Sequence, residues 1–326
     1  KSGIKKVVHD FMTLSEQELK IKYNVTSESR DQKVSYAMEN VRTYGDQEQY
    51  YKSCLYRPFD KKWTYYTDKV RGFLAYPVYK VLKHMLHDNM GLIVSRQGQA
   101  SDLGEWNVVF ATDTIVDLNV FRRGGGCLFP LYIYDNDFGK IRRHPNLNSS
   151  IVNKIASSLG LKYSPDSDKD EGTLVPKDIF FYIYAILQSK NYRTKYKEFL
   201  NLDFPRIPYP VDADVFWRLV SLGSELYSVH TQKILITDDN VIFDPGTNLV
   251  EKTTYKNGAL YINKNQKVAP VSEETWSQTI GGYEVLAKWL KDRKGTILTD
   301  TDKEHFKSII GALEKTQQIM AEIDSI

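Results

Sequence analysis

Three short segments combine cationic side chains with amides or glycine, a mixture suited to contact with nucleic acid. They are 96–99 (RQGQ), 122–126 (RRGGG) and 140–146 (KIRRHPN). Arginine pairs with guanine O6 and N7, and Asn or Gln with adenine N6 and N7, each at roughly 1–3 kcal/mol of discrimination. Each segment also has an interpretation without DNA: 96–99 as a solvated loop, 122–126 as a plain hairpin tip, and 140–146 as a solvated run of charges. The candidate DNA contacts in these segments are Arg96, Gln97, Gln99, Arg122, Arg123, Lys140, Arg142, Arg143 and Asn146.

The charge distribution is compatible with such contacts. The formal net charge is +3, but residues 1–145 have an excess of five basic side chains and residues 146–326 an excess of two acidic ones. Cationic surfaces attract the phosphate backbone, although many DNA-binding domains are more basic than this. The two cysteines indicate no disulfide framework and fit a reducing cytoplasm, where each would be a small buried hydrophobe.

Hydrophobic patterning predicts an α+β chain with three parts. Residues 1–49 are polar with short helical patterns and look too poor in apolar positions to form their own core, so we expect a docking segment. Residues 50–146 contain short β-branched and aromatic runs, typical of a sheet-rich recognition unit. Residues 147–326 are predicted to be mainly helical, with a β insert at about 233–265.

Local signals place several elements, and the apolar spacing after Pro77 predicts a helix there. Asn257-Gly258 predicts a type I′ hairpin turn, and Gly160 is predicted to end a helix that includes Ile155 and Leu159. Pro176 opens a strongly apolar helix, and Thr301 with Glu304 predicts a capping box for the last helix.

The motifs of several enzyme classes are missing. No proline is followed by another, which excludes the Asp/Asn-Pro-Pro-aromatic loop of adenine-N6 methyltransferases, and no P-loop string occurs. His84 and His87 have acceptable metal-ligand spacing, but a solvated or capping role is the simpler interpretation. No apolar run approaches the roughly 20 residues of a membrane span. We therefore expect a non-enzymatic, cytoplasmic chain with no metal or cofactor of its own.

An ordered set of strings resembles the C-terminal target-recognition domain of Type ISP single-polypeptide restriction-modification enzymes. The clearest is 54–66 (CLYRPFDKKWTYY), and the set extends over most of residues 50–325. One departure is Lys61-Lys62, where arginine is more usual beside the tryptophan; a bidentate phosphate contact would not survive that change. The supporting strings are 89–92 (NMGL), 129–134 (FPLYIY), 145–148 (PNLN), 176–187 (PKDIFFYIYAIL), 203–208 (DFPRIP), 280–283 (IGGY) and 288–295 (KWLKDRKG).

The resemblance implies sequence-specific recognition of double-stranded DNA for an adenine-N6 methyltransferase and ATP-dependent nuclease whose catalytic domains are absent from this chain. AdoMet, ATP and Mg²⁺ would belong to those domains, and residues 1–45 with the terminal helices would dock on the methyltransferase domain. A non-catalytic protein-interaction scaffold is the alternative.

Residues shared by family members with different targets cannot encode one target sequence. Arg57 is therefore expected to form an ion pair with Asp60 or to contact phosphate. Lys61, Lys62 and Arg71 complete the candidate DNA contacts.

Overall fold

The computed structural model describes residues 1–95, 106–137, 139–165 and 172–326. The helices are α1 (Ser2–Thr13), α2 (Glu16–Lys22), α3 (Val34–Tyr44), α4 (Tyr79–Leu82), α5 (Ser149–Ser158), α6 (Pro176–Gln188), α7 (Lys190–Lys195), α8 (Lys197–Leu200), α9 (Ala213–His230), α10 (Glu273–Ser277), α11 (Val285–Lys291) and α12 (Asp300–Asp324).

The strands are short, and most belong to small separate sheets. They are β1 (Tyr51–Arg57), β2 (Asp60–Tyr65), β3 (Gly91–Val94), β4 (Val109–Thr112), β5 (Ile115–Val116), β6 (Cys127–Pro130), β7 (Tyr132–Asp137), β8 (Lys140–Pro145), β9 (Lys162–Tyr163), β10 (Thr173–Leu174), β11 (Ile242–Phe243), β12 (Thr254–Lys256), β13 (Ala259–Tyr261), β14 (Lys267–Ala269), β15 (Thr279–Ile280) and β16 (Tyr283–Glu284). Together with the helices they confirm the predicted α+β class.

Two three-stranded sheets organise residues 50–130. The first has the order β2-β1-β5, with β5 parallel to β1, and the second has the order β4-β3-β6 and is antiparallel throughout. Strand β3 is central because it pairs with both β4 and β6. Strands β7 and β8 then form a separate antiparallel ribbon of two strands.

The largest hydrophobic core contains residues from both the sheet-rich and the helical parts of the chain. Phe110 on β4 and Phe59 pack edge to face, with ring centroids 5.1 Å apart, and both are buried. Helices α6 and α9 pack on each other and on β4, and α12 packs on α9. This core includes residues from before and after residue 146, where the sequence analysis placed a boundary. The division of the chain into three parts stays a prediction.

The N-terminal helices pack on the first sheet of the chain itself. Val8 of α1 and Val41 of α3 are fully buried against Tyr51 and Tyr65 of β1 and β2. A smaller cluster joins Leu19 of α2 to Val34 and Met38 of α3. This segment therefore builds small apolar clusters with its own chain, whereas the sequence predicted too few apolar positions for a core.

Most local signals are confirmed, with three exceptions. Asn257 and Gly258 both have positive φ in the turn between β12 and β13, and Gly160 has φ +69° after α5. The capping box of the last helix is formed by Thr299 and Asp302, two residues earlier than predicted. The predicted helix after Pro77 is a single turn, α4, followed by a 3₁₀ turn at Lys83–Leu86. Cys54 is buried as expected, but Cys127 is exposed.

Candidate nucleic-acid interface

The β7–β8 ribbon carries the third predicted basic segment. Lys140, Arg142 and Arg143 lie on β8, and all three are exposed. The Arg143 guanidinium lies 4.5 Å from the centre of the Tyr132 ring, and Asp135 faces Arg142 across the ribbon. Asn146 follows β8, where its backbone N–H donates to Leu131 O and its side-chain amide donates to Pro130 O. Asn146 thus anchors the base of the ribbon to the end of β6.

The 3₁₀ turn before β6 carries Arg122 and Arg123. Arg122 is half-buried, and its backbone N–H donates to Gly281 O over 2.8 Å. Arg123 is exposed and has φ +60°, a left-handed conformation that is uncommon for arginine. A Cβ on Gly281 would lie 2.0 Å from the Phe121 ring, so the close contact that supports this turn requires glycine there.

The turn and the ribbon leave β6 at opposite ends. Cys127, the first residue of β6, pairs with Val94, whereas Pro130, the last, pairs with Gly91. At about 3.4 Å per residue the two ends are roughly 10 Å apart. This separation is shorter than the roughly 34 Å of one turn of B-DNA. Arg96, Gln97 and Gln99 lie outside the described residues.

The predicted pairing between Arg57 and Asp60 is wrong. Arg57 donates to the Asp117 carboxylate over 2.8 Å, while the buried Asp60 carboxylate binds Arg293 through both guanidinium NH2 groups at 3.1 and 3.2 Å. Arg57 and Asp60 are partners in the register of β1 and β2, next to an irregularity in that pairing, but each side chain binds a residue from a distant segment. The ion pairs hold the β1–β2 hairpin against the turn after α11 and the segment after β5.

Lys61 and Lys62 differ in their surroundings. The half-buried Lys61 ammonium binds the Asp113 carboxylate at 2.7 Å and donates to Thr231 O at 3.0 Å, which ties β2 to the end of α9. The Lys62 ammonium lies 3.8 Å from the centre of the Tyr56 ring and is 42% exposed. Burial lowers the pKa of Lys62, and the nearby cations Arg293 and Lys288 add to this effect while Asp60 and Asp292 oppose it.

Arg71 fastens a loop to the N-terminal segment. Its guanidinium binds the Asp31 carboxylate at 2.7 Å, and the Tyr76 hydroxyl donates to the same carboxylate. The hydrogen bond from Tyr76, supported by Arg30, lowers the pKa of Asp31 to about 2. The Arg71 side chain is still 50% exposed. DNA contacts by Arg57, Lys61, Lys62 and Arg71 stay predictions, and in the structure all four bind the protein's own groups.

Sequence reasoning missed an aromatic and cationic cluster centred on Tyr56. The Arg57 guanidinium and the Lys62 and Lys288 ammonium groups lie 3.9, 3.8 and 5.7 Å from the centre of the Tyr56 ring. Tyr283 contacts two of these cations from the opposite side, at 5.3 Å from Arg57 and 5.6 Å from Lys288. The string 280–283 resembled the family, but nothing local in it indicates that Tyr283 meets Tyr56.

The role of His84 and His87, which both contact Tyr134 of the ribbon, was also missed in the sequence analysis. The His87 ring stacks on the Tyr134 ring with centroids 4.4 Å apart, and the Tyr134 backbone N–H donates to His84 Nδ1. Burial lowers the pKa of His84, and the adjacent Lys83 adds to this effect. No group of three potential metal ligands occurs among the residues described by the structure.

A polar cavity of about 260 Å³ lies among α7, α9, α10 and α12. His230 on its wall is fully buried, which lowers its pKa to about 3. Its Nδ1 bonds to the Tyr184 hydroxyl, and its Nε2 lies 2.9 Å from Thr316 Oγ1. Both ring nitrogens are therefore engaged in holding α6, α9 and α12 together.

Three solved structures are similar to this chain over almost its whole length. They are described as the "ATP-dependent Type ISP restriction-modification enzyme LlaBIII bound to DNA", a "nuclease-deletion mutant of the Type ISP restriction-modification enzyme LlaGI in complex with a DNA substrate mimic" and a "DrdV-DNA complex". Their TM-scores are 0.65, 0.60 and 0.65 at 16%, 18% and 17% identity. They cover 99%, 98% and 98% of this chain, which spans only 22%, 25% and 32% of theirs.

The sequence comparisons give a second, independent result. Comparison with curated protein sequences gave no match. The model of the Type ISP C-terminal specificity domain, however, matches residues 1–322. The chain therefore belongs to the Type ISP C-terminal specificity domain family.

Proposed function

We propose that this chain recognises a specific sequence in double-stranded DNA, as the target-recognition part of a restriction-modification polypeptide. The match of the specificity-domain model to residues 1–322 carries the proposal. The three similar structures, which share the fold, are complexes with DNA. The exposed cations of the ribbon and the exposed Arg123 of the neighbouring turn are suited to the phosphate contacts that position such a domain.

The proposal includes a division of labour. An adjoining adenine-N6 methyltransferase domain would extrude and methylate the target base with AdoMet, and ATP and Mg²⁺ would serve further domains. This chain would bind DNA without a catalytic step or a cofactor of its own, in the bacterial cytoplasm. No helix in the described part of the chain is long and apolar enough to cross a membrane.

One observation favours the rival function, a protein-interaction scaffold. An apolar groove of about 480 Å³ is lined by Tyr192, Tyr196 and Phe204. At its edge, Phe199 and Leu202 are 67% and 72% exposed. Exposed apolar surface of this kind is typical of protein contacts. The groove lies on α7, α8 and the segment that follows. Its Phe204 ring contacts Phe129 of β6, with ring centroids 5.6 Å apart, so the groove adjoins the strand between the Arg122–Arg123 turn and the ribbon.

Salt dependence separates the two functions. The affinity of the chain for fluorescent duplexes is measured by anisotropy at several salt concentrations. Neutralisation of several phosphates predicts that log affinity falls linearly with log salt, with a slope of about −0.9 for each phosphate contacted. A chain that binds no duplex at low salt, or whose affinity for DNA does not change with salt, would contradict the proposal. Incubation with AdoMet, Mg²⁺ and duplex is expected to leave the DNA unmodified.

A further inference from the structure

The β7–β8 ribbon has the dimensions of an element that reads DNA from the major groove. Each strand has six residues, so the ribbon is roughly 20 Å long at about 3.4 Å per residue. Two strands about 4.8 Å apart, with their side chains, fit a major groove about 12 Å wide but not a minor groove of about 6 Å. On β8 the residues from Lys140 to His144 are exposed, and on β7 Asp135 and Asn136 are exposed while Tyr132 is buried. The outer half of the ribbon therefore projects from the body of the protein.

The two faces of the ribbon differ in charge. Residues paired across an antiparallel ribbon point to the same side, and side chains alternate along each strand. One face therefore carries the pairs Tyr134–Arg143 and Asn136–Ile141, and the other carries Asp135 opposite Arg142. The His144 ring lies 3.6 Å from the Asp135 carboxylate. Among the ribbon side chains that the structure describes, the face with Asn136 and Ile141 carries no acidic residue, so it can approach the DNA without a repelling carboxylate.

The acid-free face also has side chains suited to base edges. Ile141 is 60% exposed, and an apolar side chain can contact the methyl group of thymine. The Asn136 side-chain oxygen accepts a hydrogen bond from Gly139 N–H over 3.0 Å, which fixes the side chain and directs its NH₂ donors away from that bond. Amide side chains pair with adenine. On the same face, toward the base of the ribbon, the stack of His87 on Tyr134 limits how the ribbon can tilt.

We propose that the β7–β8 ribbon enters the major groove and reads bases through Asn136 and Ile141, with the cations of β8 along the groove walls. This inference rests on the proposed DNA recognition and specifies the groove and two residues outside the basic candidates. Sequence preference would then depend on the acid-free face, while the cations would contribute affinity for any sequence.

The test begins with the preferred sequence of the wild-type chain, selected from a pool of random duplexes. Affinities of Asn136→Asp and Ile141→Ala are then measured for that sequence and for each single-base variant of it. Aspartate keeps the acceptor for Gly139 N–H but removes the amide donors, and an exposed isoleucine can be shortened without opening a cavity. Each variant is expected to lose roughly 5- to 150-fold discrimination at one or two base positions.

Matched controls are available elsewhere in the fold. Ile242→Ala shortens an isoleucine that is also 60% exposed, on β11, and Asn265→Asp adds the same charge in the exposed turn between β13 and β14. Both controls are expected to keep the wild-type preference. In competition experiments, methyl green, which occupies the major groove, is expected to displace the chain at lower concentration than netropsin, which occupies the minor groove.

The outcomes separate this inference from the proposed function. A wild-type chain that selects no sequence from the pool would overturn the proposed function, and this inference with it. Another outcome is a clear sequence preference of the wild-type chain that the folded Asn136→Asp and Ile141→Ala variants retain at every base position. That result would contradict base reading by the ribbon and leave the proposed function intact. Displacement by netropsin but not by methyl green would likewise exclude the major groove while leaving DNA recognition intact.

Discussion

At the scale of single residues, several of the predicted cations stabilise the fold. The Asp60 carboxylate is only 3% exposed and depends on Arg293, whose guanidinium also lies 3.5 Å from the centre of the Trp289 ring. A charge buried without its partner costs far more than an exposed one. Residue type alone therefore does not separate DNA-contacting cations from structural ones.

Arg293→Ala is expected to lower the free energy of unfolding by about 3–5 kcal/mol, because it leaves the Asp60 carboxylate buried and without its main partner. Urea denaturation measures this loss. Lys303→Ala is the control, since Lys303 pairs with Asp300, which is 94% exposed, and such an exposed pair contributes little to stability. Equal effects of the two substitutions would contradict the structural role of Arg293.

The buried His230 predicts that acid destabilises the protein. Its pKa is about 3 in the folded chain and about 6.5 when unfolded, so below pH 6.5 the unfolded chain binds a proton that the folded chain does not. The contribution of His230 to the free energy of unfolding is fully present above pH 6.5. As the pH falls below 6.5, this contribution decreases by about 1.4 kcal/mol for each pH unit, until about pH 3. Urea denaturation between pH 7.5 and 5 measures the slope. The His230→Gln variant should show a smaller slope. Part of the slope should remain, because burial also lowers the pKa values of His84 and His305. Identical slopes for the variant and the wild type would exclude His230 as the cause.

At the scale of elements, the close approach of α6 and α9 depends on one glycine. A Cβ on Gly223 of α9 would lie 2.0 Å from the backbone oxygen of Phe181 on α6. These two helices support β4, which pairs with β3. The position of the sheet from which the Arg122–Arg123 turn and the ribbon emerge thus depends on this crossing.

Gly223→Ala is expected to lower the melting temperature, with a loss of about 1–3 kcal/mol or more from overpacking. Thermal unfolding followed by circular dichroism measures the effect. Gly3→Ala is the control, because a Cβ on Gly3 of α1 meets nothing within 4 Å and alanine favours the helix by up to about 1 kcal/mol. A Gly223→Ala protein as stable as the wild type would show that the two helices can separate without cost.

At the scale of the whole molecule, the Arg122–Arg123 turn and the ribbon lie at the two ends of β6, in the sheet that α6 and α9 support, while the N-terminal helices pack on the other three-stranded sheet. The net charge of +3 is small, so long-range attraction to DNA depends on where the cations lie rather than on their total number. Local phosphate contacts should therefore dominate the salt dependence.

Replacement of both Arg122 and Arg123 by alanine is expected to weaken binding to all duplexes and to make the slope of log affinity against log salt shallower by about 2. Anisotropy titrations over a salt series measure both quantities. The double variant Lys154→Ala, Lys162→Ala removes two exposed cations from α5 and β9, outside the candidate contacts, and should change neither. Unchanged titrations of the Arg122, Arg123 variant would remove this turn from the interface.

The sequence by itself determined the elements whose signals are local, and the family. The Asn257-Gly258 turn, the helix opened by Pro176 and the ordered strings over residues 50–325 depend on a few neighbouring side chains, so they could be read directly. The tertiary structure alone decided which charges meet. Arg57 pairs with Asp117, Asp60 with Arg293, and His87 stacks on Tyr134, because folding brings residues that are distant in sequence within reach of these side chains.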